Sequence, residues 1–209
     1  MMYTLYYSPG ACSLAVHVVL NELGVKFEAV KKSTKDGSLK TPEFLKINPR
    51  GQVPVLVVDD TPIREGAAMI TYLLDTHKSP MLPSAGLERA HALQWIMWAN
   101  ASLHPAYSRA FWLMGQKIDD ATRATLQQSI FGTIQSFWDE AETRLGESKF
   151  LGGDTLGAAD ILIAVFANWG VGHEFKLGPN VQRVIKAVIA LPSWQKAVAA
   201  EQIEYKAVA

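Results

Sequence analysis

The chain has 209 residues, of which 49% are hydrophobic and 19% charged, and its 20 basic residues balance 20 acidic ones. This composition is typical of a folded protein with a substantial core and excludes a disordered chain. No long run of like charges is present, which argues against nucleic acid or an anionic membrane surface as a partner. We therefore expect a folded protein that binds a small ligand.

The first part of the chain has a mixed α/β pattern. Alternating or β-branched runs predict four strands, at residues 3–7, 27–31, 53–58 and 63–64. Helical spacing between them predicts three helices, at residues 11–23, 41–45 and 65–74. This order of elements predicts a small mixed sheet covered by helices.

The second part of the chain has only helical patterns. Residues 76–86 are rich in Pro, Ser and Gly and lack periodicity, which predicts a linker at 78–86 between domains at 1–77 and 87–209. Beyond it, helices are predicted at residues 87–113, 121–145, 158–169, 181–189 and 194–198. We therefore expect an α/β domain followed by an all-α domain.

Three features predict a cytosolic protein. The N-terminus lacks the basic segment of a secretory signal, and Pro9-Gly10 interrupts its apolar run. The apolar stretch at residues 161–171 is too short to span a bilayer. The single cysteine, Cys12, has no partner for an internal disulfide, as is usual in a reducing compartment.

Cys12 is the first candidate for chemistry. It follows the Pro9-Gly10 turn and falls in the first turn of a predicted helix, where the helix N-terminus lowers the pKa of a thiol. The alternative is a small buried hydrophobe, which is the commoner role of a lone cysteine. Ala15 occupies the second position of a C-x-x-C spacing and argues against a dithiol oxidoreductase.

Two further segments could present backbone groups to a ligand. Pro54 at the start of a strand indicates either an ordinary edge strand or a cis Val53–Pro54 bond, which would turn the backbone of Val53 outward. Glu65-Gly66 at a helix start indicates an anion site suited to a carboxylate, or simply a favourable first-turn glutamate.

Two segments of the helical part also stand out. His104 precedes Pro105 and is either a polar residue at a proline kink or a functional group. Asp160, three residues after Gly157, has the spacing of a capping box, but glycine has no side-chain oxygen, so only half of the box can form. The second motif concerns folding only.

Taken together and in this order, four segments resemble the glutathione transferase superfamily over essentially the whole chain. They are YYSPGACSLAVHVVLNELG, NPRGQVPVL, REGAAMITYLLD and LGAADILIA. Cysteine at position 12 combined with His104 makes the chain most similar to the bacterial beta class. The resemblance implies a thioredoxin-like N-terminal domain, an all-helical C-terminal domain, a homodimer, glutathione as co-substrate and no metal.

The resemblance also implies roles for individual residues. Cys12 would contact the glutathione sulfur and could form a mixed disulfide with it, and His104 would approach that sulfur from the other side. Val53, before a cis Pro54, would pair its backbone with the cysteinyl unit, while Glu65 and Gly66 would hold the γ-glutamyl end. The remaining implied site residues are Tyr7 near the thiolate, Gln52, and Lys35 in the loop after the second strand.

The reaction implied is activation of the glutathione thiol for attack on a small hydrophobic electrophile, with peroxide reduction or dehalogenation as related reactions. The helix around residues 98–112 and the chain end at 202–209 are expected to line the electrophile pocket. Three positions depart from the family pattern, namely Met97 where an asparagine is frequent, Pro105 where a basic residue is usual, and Gly157. The first two favour an alternative, a non-catalytic member that binds ligands or proteins, and a monothiol redox protein is a third possibility.

Overall fold

A four-stranded mixed sheet forms the centre of the first part of the chain in the computed structural model, which describes residues 1–33, 35–170, 172–173 and 175–208. The strand order is β2-β1-β3-β4, with β1 parallel to β2 and antiparallel to β3, and β3 antiparallel to β4. The strands are β1 Tyr3–Tyr7, β2 Phe27–Lys31, β3 Val55–Val58 and β4 Thr61–Ile63. Val171 and Ala209, which end two of the segments discussed above, lie outside the described residues.

Three helices accompany this sheet: α1 Ser13–Glu22, α2 Pro42–Ile47 and α3 Gly66–Thr76. Thr41 is the N-cap of α2, because its hydroxyl oxygen accepts a hydrogen bond of 3.4 Å from the N–H of Phe44. The helix continues two residues beyond the predicted end at residue 45. The predicted thioredoxin-like arrangement of mixed sheet and helices is confirmed.

The second part of the chain is helical. Its helices are α4 Gly86–Trp98, α5 His104–Met114, α6 Asp120–Glu147, α7 Ala158–Trp169, α8 Pro179–Ile189 and α9 Pro192–Glu201. Within the described residues no strand follows Ile63, apart from an isolated bridge between Phe150 and Gly153. The all-helical character expected of this part is confirmed.

Turns occupy the chain between α3 and α4, where a linker is predicted. Arg89 in α4 forms an ion pair of 2.8 Å with Asp75 in α3 and also donates to the carbonyl of Pro83. The two flanking helices are therefore tied together across the turns. The domain limits at 77 and 87 stay a prediction.

One helix predicted as continuous changes its winding in the middle. Residues Ala99–Leu103 form a π-helical turn between α4 and α5, in which the N–H of His104 bonds to the carbonyl of Ala99 five residues earlier. Pro105 has no N–H for the regular bond to a residue four positions back, so a wider turn before it costs less than it would elsewhere. Backbone dihedrals stay helical on both sides, and the proline does not break the helix.

The start of α7 shows the half capping box. The two carboxylate oxygens of Asp160, which is fully buried, accept hydrogen bonds from the N–H groups of Leu151 and Gly157 at 3.0 and 2.8 Å. Gly157 contributes only backbone, as expected from its lack of a side chain. These two hydrogen bonds attach the loop before α7 to the first turn of the helix.

Within the described ranges, the structure contains no helix that is both long and apolar enough to cross a membrane.

Candidate active site

Cys12 lies at the turn that leads from β1 into α1. Gly10 in this turn has a φ of +70°, which a residue with a side chain rarely adopts. The turn directs the Cys12 sulfur inward, where it lies 3.9 Å from the carbonyl oxygen of Val53. The thiol is therefore held between the start of α1 and the segment before β3.

The position of Cys12 at a helix start does not lower the pKa of its thiol. Burial raises this pKa to about 11, outweighing the opposite effect of the N–H groups of Cys12 and Ser13, and the nearby charge of Glu65 adds to the rise. The sequence-based expectation of a depressed pKa is therefore wrong. At neutral pH the group is a protonated thiol that can donate a hydrogen bond.

The turn before Cys12 is fixed by two helices of the second part. The N–H of Gly10 donates to Oε2 of Glu201 at 3.0 Å, and the indole N–H of Trp169 donates to the carbonyl of Gly10 at 2.8 Å. The other carboxylate oxygen of Glu201 shares a hydrogen bond of 2.9 Å with Nδ1 of His17 in α1, and both side chains are buried. Both polar groups of the Gly10 backbone are thus satisfied by residues distant in sequence.

The segment before β3 presents backbone next to this thiol. The Val53–Pro54 peptide bond is cis, one of the two alternatives left open by the sequence. The carboxamide of Asn48 donates a hydrogen bond of 2.7 Å to the carbonyl of Gln52 and so fixes the segment that leads into β3. β3 begins only at Val55, so Val53 and Pro54 lie outside the sheet.

The start of α3 lies across from that segment. Glu65 immediately precedes the helix with a φ of +71°, an unusual value for a residue with a side chain, and Gly66 is the first helical residue. The carboxylate of Glu65 forms an exposed ion pair of 2.7 Å with Arg50. The first N–H groups of α3 have no partner within the helix, as at any helix start, and attract an anion.

His104 begins α5 and faces the same space. Its ring packs against those of Phe166 and Trp169, with centroids 5.3 and 5.2 Å away. Burial lowers the pKa of the His104 imidazole, while the charge of Glu65 acts in the opposite direction. At neutral pH this imidazole is therefore mostly uncharged and can accept a proton.

A single cleft of about 300 Å³ brings these groups together. The first part of the chain lines it with six of the predicted site residues: Cys12, Gln52, Val53, Pro54, Glu65 and Gly66. The second part lines it with His104. Four separate sequence segments thus meet in one place.

Two predicted site residues lie elsewhere. Tyr7 is buried in β1 with its ring 5.6 Å from that of His17, burial raises the pKa of its phenol, and it is not among the described residues that line the cleft. Lys35 is exposed in the loop after β2, and its N–H donates to the hydroxyl of Ser33. It is not among the described residues that line the cleft. Their roles at the site stay predictions.

The cleft also contains polar residues that the sequence did not single out, notably Asn100, Arg50 and Arg64. Asn100 stands four residues before His104, a spacing that places both on one side of a helix and could have identified it. Met97, the position expected to matter, is 44% exposed and does not line the cleft.

A second, more apolar cleft of about 410 Å³ adjoins the first and shares Cys12, Val53 and His104 with it. Phe111 and Trp169 supply its aromatic lining. Phe111 belongs to the helix predicted for this role, whereas Trp169 in α7 was missed because its contact with Gly10 is not visible in the sequence. The other end of that helix lies elsewhere, since Trp98 donates to Glu140 on α6.

The chain end does not line this apolar cleft as far as the structure describes it. Instead, Tyr205 donates to the carbonyl of Ala164, and the N–H of Lys206 donates to Asn168, so the chain end packs on α7. The expectation that residues 202–209 line the cleft is therefore not met by the described part of that segment.

The combined arrangement suits sulfur chemistry. It offers a half-buried thiol, an uncharged imidazole, backbone that lies outside the sheet, a helix start and a carboxylate around one opening. Among the described residues there is no cluster of three or more His, Cys, Asp or Glu side chains that could hold a metal ion.

Comparison with known proteins identifies relatives of the chain. A family model described as the N-terminal domain of glutathione S-transferase matches residues 1–75. Glutathione S-transferase GST-4.5 of Xanthomonas campestris pv. campestris is 32% identical over 167 residues, covering 79% of this chain and 81% of the relative.

Solved structures give the same result. A sphingomonad glutathione S-transferase complexed with glutathione has a TM-score of 0.84 at 25% identity, covering 96% of this chain and 100% of its own. A bacterial beta class glutathione S-transferase from Sphingomonas chungbukensis has a TM-score of 0.81 at 25% identity, covering 95% and 98%. The similarity to bacterial proteins of this kind extends over nearly the whole chain.

Proposed function

The chain belongs to the glutathione transferase superfamily, and from this premise we propose that its cleft binds glutathione and activates the glutathione thiol for attack on small hydrophobic electrophiles. One observation carries the proposal: Cys12, Val53, Glu65 and His104, from four separate segments, line a single cleft. The non-catalytic alternative is not favoured, because similar proteins along most of the chain carry the name of the enzyme.

The proposed position of glutathione follows from the chemistry of the lining. The outward backbone of Val53 would pair with the peptide of the cysteinyl unit, as an added strand pairs with a sheet edge. The γ-glutamyl end, which carries an ammonium and a carboxylate, would lie between Glu65 and the start of α3. The glutathione sulfur would then lie between Cys12 and His104.

The proposed reaction needs only these groups. The uncharged imidazole of His104 would take the proton of the glutathione thiol as general base. The sulfur electron pair would then form a bond to the electrophilic carbon, and the leaving group would depart with its own bonding pair. Cys12, protonated because of its raised pKa, would donate a hydrogen bond to the developing thiolate.

The apolar cleft beside this position would hold the electrophile. Phe111 and Trp169 offer flat apolar faces next to the site proposed for the sulfur. Such a cleft suits a small hydrophobic molecule, for which an activated aryl chloride is a convenient probe.

We predict that Glu65→Gln weakens glutathione binding by about tenfold or more, because a charge-assisted hydrogen bond to the ligand ammonium is lost. Calorimetric titration with glutathione measures the effect, and the wild-type protein should also bind immobilised glutathione. Glu43→Gln, on the exposed first turn of α2, is the matched control and should bind like the wild type.

Two results would contradict the proposal. A folded wild-type protein that does not bind glutathione would exclude the function itself. Equal affinity of Glu65→Gln and wild type would exclude the role of Glu65 while leaving the function in place.

We predict that Cys12→Ser keeps its conjugating rate within about tenfold of wild type, a change of less than about 1.4 kcal/mol in the barrier. The nucleophile in this proposal is the sulfur of glutathione, and a serine hydroxyl can still donate a hydrogen bond to it. Initial rates with 1-chloro-2,4-dinitrobenzene and glutathione measure the change. Complete loss of activity would instead indicate that Cys12 performs the chemistry, as in a monothiol redox protein.

The proposal extends to the setting of the protein. We propose a cytoplasmic homodimer that acts in detoxification, with a glutathione-binding domain at residues 1–77, a linker at 78–86 and a helical domain at 87–209. The lone Cys12 thiol fits a reducing compartment.

A further inference from the structure

We propose that a separate cavity, away from the cleft assigned to glutathione, binds a free amino acid with an apolar side chain. This cavity has a volume of about 370 Å³. It lies between the turn at residues 80–83, the first half of α4, the end of α6 and the loop that leads into α7. It shares no described lining residue with either cleft of the candidate active site, so the inference is independent of the proposed function.

The walls of this cavity are held together by close packing and hydrogen bonds. A Cβ built on Gly152 would stand 3.5 Å from both Cα and Cβ of Ala92, so the loop before α7 touches α4. A Cβ built on Gly157 would stand 3.2 Å from the carbonyl oxygen of Met81, so the loop also touches the turn before α4. Asp160 fixes the same loop to α7 through its two hydrogen bonds. The cavity is therefore formed before a ligand binds, as is usual for small-molecule sites.

Arg144 gives the cavity a positive group without a partner. Its side chain is half-buried and lines the cavity, and its Nε–H donates to the carbonyl of Leu151 at 3.1 Å. The two terminal nitrogens of the guanidinium make no hydrogen bond or ion pair with any residue that the structure describes. A guanidinium matches a carboxylate, which accepts two parallel hydrogen bonds from it. The ligand group expected beside Arg144 is therefore a carboxylate.

Two carboxylates line the same cavity and are also unpaired. Glu88 on α4 and Asp154 in the loop before α7 are exposed, and neither belongs to an ion pair within the described ranges. Because they are not paired with Arg144, groups of both charges face one space without neutralising each other. A ligand that fits must carry an ammonium as well as a carboxylate. An α-amino acid carries both groups on a single carbon atom.

The buried part of the lining is apolar. It includes Met81, Ala92 and Ile96, which are 8%, 7% and 1% exposed. An aliphatic side chain placed against these residues gains from leaving water, whereas a polar side chain would lose its hydration without gaining a hydrogen bond. The cavity therefore favours an amino acid such as leucine over a polar one.

The test is calorimetric titration with leucine and with two analogues that each lack one charge. Leucinamide has no carboxylate, and 4-methylpentanoate has no ammonium. We expect the wild type to bind leucine about tenfold or more tightly than either analogue, because each analogue loses one charge-assisted contact. Glu65→Gln, which is altered in the glutathione cleft, should bind leucine like the wild type.

Two sets of substitutions separate the two contacts. Arg144→Gln should weaken leucine binding by about tenfold and should not weaken the binding of leucinamide. The double variant Glu88→Gln/Asp154→Asn should weaken leucine binding by about the same factor and should not weaken the binding of 4-methylpentanoate. Arg109→Gln and Glu147→Gln are the matched controls, since both residues are exposed and lie outside the cavity.

The double variant also protects the test against a folding defect. Arg144 holds the carbonyl of Leu151, so circular dichroism must show that Arg144→Gln is folded. Glu88 and Asp154 are exposed and have no hydrogen-bond partner in the described part of the chain, so their replacement leaves the loop intact.

Three results would overturn the proposal. The first is a folded wild type that binds no leucine at concentrations up to about 10 mM. The second is a variant that weakens leucine and both analogues equally, which contradicts the assignment of the charges. The third is loss of leucine binding in Glu65→Gln, which would place the amino acid in the glutathione cleft. Failure of the protein to bind glutathione would overturn the proposed function and leave this inference in place.

Discussion

Replacing Glu201 with alanine lowers the free energy of unfolding by about 2 to 5 kcal/mol, because each polar group that is hydrogen-bonded to its buried carboxylate is left unpaired at a cost of about 1 to 3 kcal/mol. The Glu201 side chain is completely buried and its partner His17 is 3% exposed, so water cannot replace the lost contacts. The change also leaves the N–H of Gly10 without its acceptor. Chemical denaturation followed by circular dichroism measures the effect.

Glu204→Ala is the matched control for this prediction. Glu204 lies three residues further along the chain, and its side chain is 76% exposed in an ion pair with Lys206. An exposed pair of this kind contributes at most about 1 kcal/mol. Similar losses in the two variants would contradict the structural role assigned to Glu201.

Cys12 in the ligand-free protein reacts with iodoacetamide about 100-fold or more slowly at pH 7.5 than an unhindered cysteine thiol, because only the thiolate reacts and its fraction is that much smaller. Burial, which raises the pKa of this thiol to about 11, is the cause. The rate should rise steadily with pH through the range from 8 to about 11. Mass spectrometry of the alkylated protein measures it.

The same chain provides the reference for this experiment. Cys12 is the only cysteine, so the protein unfolded in urea reports the reactivity of the same thiol without burial. Thiolate absorbance near 240 nm gives the midpoint of the titration independently. A midpoint below about 8 would show that the helix start prevails over burial.

Strong local patterns predicted most of the fold. The alternating residues of β1 and β2 and the apolar run of α7 gave the bounds found in the structure, Tyr3–Tyr7, Phe27–Lys31 and Ala158–Trp169. Helix ends moved by a few residues where the signal came from capping or packing rather than from periodicity, as at α2 and α9. The π-helical turn before His104 has no periodic signature and was not predicted.

The candidate site, like the fold, was predictable only where a local sequence pattern encodes it. Short motifs with a backbone consequence, such as Val53-Pro54 and Glu65-Gly66, could be recognised from the sequence. Asn100 could have been found from its four-residue spacing to His104. Trp169 lines the apolar cleft next to Gly10, with which it makes a contact that no local pattern indicates. The pKa of Cys12 depends on burial by distant residues, which no local motif encodes.

The anchoring of Gly10 has a consequence for how the protein could be divided. The hydrogen bonds that hold the turn before Cys12 come from Trp169 and Glu201, close to the far end of the chain. A fragment limited to residues 1–75, the part matched by the family model, would keep the sheet and lose both anchors. The environment of the thiol is therefore built jointly by both parts of the chain, and a chimaera with a foreign helical part would inherit the cysteine without its surroundings.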